Sequence, residues 1–312
     1  MRILITGGAG FIGSNLAKTM IEAGHTVTVI DDLSTGYADN LDNMNIEFHH
    51  ASILDEGTLD QAVAGQDSIV HLAALGSVPR SIRNPGRSHE VNATGTLKVL
   101  ESARREGVGH VIMSSSSSVY GSNPALPKHE REWVRPMSPY AVSKLAAEQY
   151  LLAYQSAYDM QTLAFRFFNV YGPGQRAGHV YAAVIPIFLD ALLRGEPLPI
   201  NGDGTNSRDF TYVGTVCEVL KRAVENRSES PEPVNLAFGT NTSLIELTEK
   251  IAEVTGFPVD LDFRAPRAGD VPHSQAANEK LRNLFPSLQP TSLTQGLRET
   301  FAWFQSTISK NS

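Results

Sequence analysis

The stretch "ITGGAGFIG" (Ile5–Gly13) decides the fold. It closes the apolar run "RILIT" at 2–6 and opens a helical pattern over 12–23, so its glycines lie between a strand and a helix. Gly7, Gly10 and Gly13 have the spacing GxxGxxG, and Gly8 makes the stretch readable as GxGxxG. Without Cβ atoms the backbone turns tightly and lets a pyrophosphate approach the positive end of the helix. A Gly-rich turn of an ordinary α/β domain has the same letters, and the strand-turn-helix context separates the two readings.

Working outward, short β-rich runs alternate with helical patterns: "TVTVID", "IEFHHA", "SIVHLA", a helix near 89–106, "HVIMSSS", a helix from Pro139 through Leu152, and "TLAFRFFNVYG". Alternation of this kind predicts βαβ units, six or seven parallel strands and a Rossmann-type doubly wound α/β sheet. The second strand ends in Asp31, at the distance where a carboxylate accepts from an adenosine ribose and repels a 2′-phosphate. NAD is therefore favoured over NADP as cofactor. Asp32 suits a turn cap as well as a ribose contact. From Gly172 the alternation breaks up, with "GPGQ", "RGEPLPINGDG" and "RSESPEPVN" marking turns. The expected organisation is a cofactor domain over 1–170, to which 210–233 returns, and a smaller mixed α/β substrate domain over 171–312. Within the latter, 243–256 reads as an amphipathic helix, and the polar tail "STISKNS" is expected to fray.

Composition bounds the function. A net charge of −7 argues against a nucleic-acid or anionic-membrane surface, while leaving room for a local arginine pocket. Cys217 is alone, which excludes an internal disulfide and a thiolate zinc site. His49, His50, His71 and His89 lack a metal-ligand spacing, so no metal is expected. The N-terminus has no signal-peptide pattern and no apolar run is long enough for a bilayer, so a cytoplasmic location is expected.

Chemistry enters with "SPYAVSK" (138–144), where Tyr140 and Lys144 stand at i and i+4 and share a helical face. Such a pair on its own is usually a surface feature. Here the strand "HVIM" delivers "SSSSSVYG" (Ser114–Gly121) to the carboxyl end of the sheet, where open α/β folds bind ligands.

With these motifs the chain resembles the extended short-chain dehydrogenase/reductase family over essentially its whole length. The resemblance implies that a Ser, a Tyr and a Lys act together beside a nicotinamide, with Ser116 four residues before the Tyr of "VYG". Tyr140 would be the acid/base and Lys144 its modulator, the ammonium favouring the phenolate. It also implies a cofactor wall of Phe11, Ile12, Ser52, Ile53, Leu72, Ala73 and Ala74, and matches Asn92 to a residue that holds the cofactor and the central helix. Asn92 reads equally as a helix-starting polar residue. Where epimerases often carry "GDI" this chain has "ASI", which puts Ser52 in place of an adenine-facing Asp.

Five further stretches resemble nucleotide-sugar epimerases, above all those handling UDP-N-acetylhexosamines: "HLAALGSVPRSI", "FFNVYG", "YAAVIP", "INGDGTNSRDFTYV" and "RAGDVPHS". By that resemblance Asn169 contacts the diphosphate, Arg208 and Arg267 pair with phosphates, Asp270 accepts from the uridine ribose and Asn201 lies near the uracil. Ser274 would lie over the sugar and leave room for an N-acetyl group, with Ser77, Ser116, Ala183 and Val184 around it. Ser117 and Ser118 stand where dehydratases carry an acid, which argues against water elimination. The reading is an NAD-dependent 4-epimerase of UDP-N-acetylglucosamine and its galacto epimer. UDP-glucose/galactose or UDP-uronic acid epimerases, a net dehydrogenase or reductase, and a non-catalytic NAD-binding protein are the alternatives. Relatives pair through helices matching 92–106 and 140–157, so a homodimer is implied.

Overall fold

The computed structural model describes residues 1–177, 183–266 and 272–311, with side chains through Thr307. The first half runs β1 (Arg2–Thr6), α1 (Phe11–Glu22), β2 (Thr26–Asp31), β3 (Ile46–His50), α2 (Glu56–Val63), β4 (Ser68–His71), α3 (Val78–Arg83), α4 (Pro85–His89), α5 (Gly95–Arg105), β5 (His110–Ser116), α6 (Pro139–Tyr158) and β6 (Gln161–Phe167). The second half continues with β7 (Asn169–Tyr171), α7 (Val184–Leu193), β8 (Leu198–Asn201), β9 (Ser207–Arg208), β10 (Phe210–Tyr212), α8 (Val213–Glu225) and β11 (Val234–Leu236). It ends with β12 (Thr242–Ser243), α9 (Leu244–Thr255), β13 (Leu261–Arg264), α10 (Glu279–Leu284) and α11 (Leu293–Asn311).

Seven parallel strands form the main sheet in the order β11-β6-β5-β4-β1-β2-β3. Side chains alternate between its faces. Ile3, Ile5, Val27 and Val29 enter a core with α1 and α8, whereas Leu4, Ile69, Val111 and Met113 enter one with α2, α5 and α6. Burial on both faces explains why these strands read as continuous apolar runs. Strand order reverses between β1 and β4, so the connections leaving their carboxyl ends diverge and open a crevice there.

Several boundaries differ from expectation. The helix expected near 89–106 is α4 and α5 joined through a π-helical segment, Glu90–Thr94. The stretch "TLAFRFFNVYG" splits at Phe168 into β6, inside the main sheet, and β7, which pairs with β10. The segment expected to return over 210–233 packs α8 on α1 and carries on through β11 into the sheet beside β6. Helix α11 is assigned through Asn311, into the stretch expected to fray, and ahead of that stretch it packs Leu297, Phe301 and Phe304 into the core. Helix α9, expected as an amphipathic helix over 243–256, is capped at both ends: Ser243 and Glu246 form a capping box, and Gly256 ends the helix in the left-handed region at φ 72°. Among the described residues no helix is long and apolar enough to cross a membrane.

Candidate active site

The crevice is a cleft of about 610 Å³ across the carboxyl ends of β1, β2, β4 and β5. Gly7, Gly10, Phe11, Ile12 and Gly13 form its floor, and Asp31, Asp32, Ser52, Ile53, Leu72, Ala73 and Ala74 line it from the neighbouring strand ends. Two glycines are required by geometry. Gly7 has φ 73°, and a Cβ there would meet the Ala73 nitrogen at 2.7 Å; a Cβ on Gly13 would lie 2.2 Å from the Gly7 carbonyl oxygen. Gly10 caps α1 without a side-chain hydrogen bond, so N–H groups of the first turn remain available to an anion on the cleft floor. This floor fits the pyrophosphate of a dinucleotide.

Asp31 is held rigidly. Its carboxylate accepts from the Ala9 N–H at 3.0 Å and the Leu33 N–H at 2.8 Å. Burial raises its pKa and those two bonds pull it back. Asp32 accepts from the Ser34 N–H at 3.0 Å, which is a turn cap, although it also borders the cleft. The Ser52 hydroxyl accepts from the Leu54 N–H at 3.3 Å.

Asn92 lies behind the cleft wall. It is buried, accepts from the Leu75 N–H at 2.7 Å and donates to the Ser143 hydroxyl at 2.9 Å. Its amide bonds the Leu75 backbone, on the loop after β4, and Ser143 on α6, so it braces the central helix as the resemblance implied, and it does not itself line the cleft.

On the opposite wall Ser116, Tyr140 and Lys144 come together. Ser116 ends β5, while Tyr140 and Lys144 occupy the first turns of α6, which Ser138 starts by accepting from the Ala141 N–H at 3.2 Å. The Ser118 hydroxyl donates to the Ser116 oxygen at 2.9 Å. Lys144 is only 4% exposed. Burial lowers its pKa to about 8, against a partial rise caused by Glu148. Tyr140 departs from expectation: enclosure by the cleft raises its phenol, and only a hydrogen bond with Ser116 lowers it. Desolvation of the anion outweighs that single bond, so the protein groups by themselves favour the phenol over the phenolate.

A second pocket of about 240 Å³ lies beyond β7, lined by Asn169, Ala183, Val184, Asn201 and Arg208 with Phe210 and Leu244. The Asn169 amide donates to the Asp209 carbonyl at 3.2 Å, and Arg208 donates to the Pro272 carbonyl at 3.1 Å. Ser77 and Ser274 line neither cavity. Ser77 caps α3 by accepting from the Arg80 N–H at 3.1 Å, and the Ser274 N–H donates to the Ser207 carbonyl at 3.1 Å. Arg267 and Asp270 lie outside the described residues. Cleft-lining Tyr37, Arg80, Phe168 and Gln175 were not singled out from sequence. Arg80 belongs to the quoted "HLAALGSVPRSI", and Gln175 to the turn "GPGQ", but neither has a local signature.

Fold and cleft together define a dinucleotide-dependent enzyme with a Ser-Tyr-Lys group beside the cofactor floor. The model of the NAD dependent epimerase/dehydratase family matches residues 3–237, and the chain belongs to that family. It is similar to a UDP-glucose 4-epimerase of Mycolicibacterium smegmatis, 38% identical over 98% of this chain and 99% of that protein. Among solved structures it resembles a UDP-N-acetylglucosamine 4-epimerase from Methanobrevibacter ruminantium in complex with UDP-N-acetylmuramic acid. The TM-score is 0.93 at 37% identity, covering 98% of both chains. A UDP-glucose 4-epimerase from Thermotoga maritima, solved with UDP-glucose, also has TM-score 0.93 and 37% identity, covering 99% of this chain and all of that one.

Proposed function

We propose that the protein is an NAD-dependent UDP-sugar 4-epimerase that accepts N-acetylhexosamines. The observation carrying this reading is that Ser116, Tyr140 and Lys144 share one cleft with the glycine floor, next to a second pocket containing Asn169, Asn201 and Arg208. Bound NAD supplies the oxidised nicotinamide, whose positive charge and hydride-accepting carbon make a reversible 4-keto sugar accessible. Tyr140 takes and returns the 4-hydroxyl proton, and Ser116 holds the reacting oxygen. Lys144 is the charge that offsets the desolvation of the Tyr140 phenolate. Arg208 and Arg267 anchor the diphosphate, Asp270 and Asn201 hold the nucleoside, and binding strength resides in a part of the substrate that does not react. Ser118, hydrogen-bonded to Ser116, carries no acid for expelling water, which favours epimerisation over dehydration.

Residues 1–170 with the returning α8 and β11 form the cofactor unit in this reading, and the remainder forms the substrate unit. Acceptance of the N-acetyl group rests on the resemblance of the stretch that ends in Ser274 to enzymes handling such sugars and on the likeness to an epimerase named for that sugar. UDP-glucose is the second reading, favoured by the names of two relatives.

The test is to incubate the purified protein, without added cofactor, with UDP-N-acetylglucosamine and separately with UDP-glucose, and resolve the 4-epimers by NMR. Conversion of the N-acetyl sugar is expected. Conversion of UDP-glucose alone would overturn the sugar assignment, and no conversion of either sugar with NAD supplied would overturn the reaction. Tyr140→Phe is expected to reduce turnover by about 10²–10⁴-fold while retaining NAD.

A further inference from the structure

Tyr140, Lys144 and Glu148 stand at successive i, i+4 positions of α6 and share one face of that helix. Glu148 is fully buried, and so is its partner Arg166 on β6, only 3% exposed. The Arg166 guanidinium donates to the two carboxylate oxygens at 2.7 and 3.0 Å. A third bond comes from the Ser115 hydroxyl at 2.6 Å, one residue before Ser116. Arg166 lies 4.7 Å from the ring centre of Tyr120, whose hydroxyl donates to Asn235 on β11 at 2.7 Å. One carboxylate thus joins the strand that ends in Ser116, the helix that carries Tyr140 and Lys144, and the strand leading to cleft-lining Phe167 and Phe168. Packing alone does not call for this arrangement, since an apolar trio of similar volume would fill the site at no desolvation cost.

We propose that Glu148 is a positioning residue for the reaction: clamped by Ser115 and Arg166, its carboxylate keeps Lys144 cationic and in register with Tyr140 and Ser116. The inference rests on the proposed role of Lys144. Other groups facing Lys144 do not substitute for Glu148. Tyr140 is on the same helix and is uncharged as the phenol. His71 on β4 is buried neutral, its pKa lowered to about 3, between Thr6 at 2.7 Å and Thr96 at 2.9 Å. The serines of β5 carry no charge. Glu148 is the charged group that raises the Lys144 pKa against burial.

The experiment follows the titration of Lys144 directly by ¹³C NMR of the lysine-ε-labelled full chain, with the resonance assigned by Lys144→Met. Glu148→Gln keeps the side-chain shape and an acceptor for Ser115 but removes the charge. Its Lys144 midpoint is expected to fall by about one pH unit, with kcat at neutral pH reduced more than KM is changed. Glu148→Asp, which keeps the charge, is expected to restore the midpoint. If Glu148→Gln does not fold, Glu148→Gln/Arg166→Met removes both charges and leaves no lone buried ion; a smaller fall in the same direction is expected, because the Arg166 charge is removed with that of Glu148. A midpoint unmoved in the variant that folds, or equally displaced in Glu148→Asp, overturns the proposal. Absence of epimerase activity in the unsubstituted protein would overturn the underlying functional reading, while the NMR midpoint would still test the effect of Glu148 on Lys144.

Discussion

Asp31 and Lys144 show how single side chains set the chemistry of this cleft. Two backbone N–H groups orient the Asp31 carboxylate on the cleft wall, so a ribose bound as proposed would meet a preformed acceptor. Asp31→Asn removes the charge but not the shape. It is expected to weaken NAD binding by about tenfold, from one charged hydrogen bond, and to narrow the preference for NAD over NADP; titration of both cofactors checks this. Lys144, lowered to about 8 by burial, is cationic below that pH and neutral above it. Turnover is therefore expected to decline as pH rises through about 8, as a kcat profile would show. Asp31 was legible because it stands at a defined distance from a glycine turn, whereas Ser116 was picked out of five consecutive serines only through the family resemblance. That Asn92 holds the central helix was implied by the resemblance, but a sequence gives no indication that it does so from behind the cleft wall, through Leu75 and Ser143.

At the scale of elements, the cleft mouth is tied across by two segments far apart in the chain. Residues 37–40 are bound to the glycine turn, the Tyr37 N–H and the Asn40 amide both donating to the Ala9 carbonyl at 3.0 and 2.8 Å. The turn after β7 is bound to α1, with Asn15 donating to the Pro173 carbonyl at 2.9 Å. Arg176 links them, donating to both oxygens of Asp39 at 2.7 and 2.6 Å and stacking 3.9 Å from the Tyr37 ring centre. Tyr37 and Gln175 line the cofactor cleft, so this strap borders it. Arg176→Ala removes an ion pair and a cation-π contact together worth about 1–2 kcal/mol. Cofactor release is expected to accelerate about five- to thirtyfold, measured by loss of bound-NADH fluorescence in a stopped-flow chase. The strap was not legible in the sequence: "GPGQ" marks a turn, but no local pattern indicates that the next residue reaches Asp39, 137 positions away.

For the whole molecule, α6 raises a question of assembly. Its inner face holds Lys144 and Glu148, yet its outer face exposes Val142 (52%) and Tyr150 (40%), two turns apart. Pairing of two copies through α5 and α6 would cover these apolar groups while leaving the catalytic face inward. Val142→Arg is expected to convert a dimer to a monomer in light scattering, with bound NAD retained. An unchanged mass would remove α6 from the interface.

The order of elements, the glycine floor, Asp31 and the Tyr140–Lys144 pair were determined by the sequence itself, with Ser116 reached through the family resemblance. Their signals are local: periodicity, a strand-turn-helix junction and an i, i+4 spacing each lie within a few residues. Tertiary structure alone decided that Asn92 supports the wall rather than lining it, that Arg176 bridges the cleft mouth, and that Glu148 meets Arg166 and Ser115 beneath Lys144. Those contacts join residues on different elements, and their consequences depend on burial, which determines whether a carboxylate is an ordinary surface charge or controls its neighbour's proton.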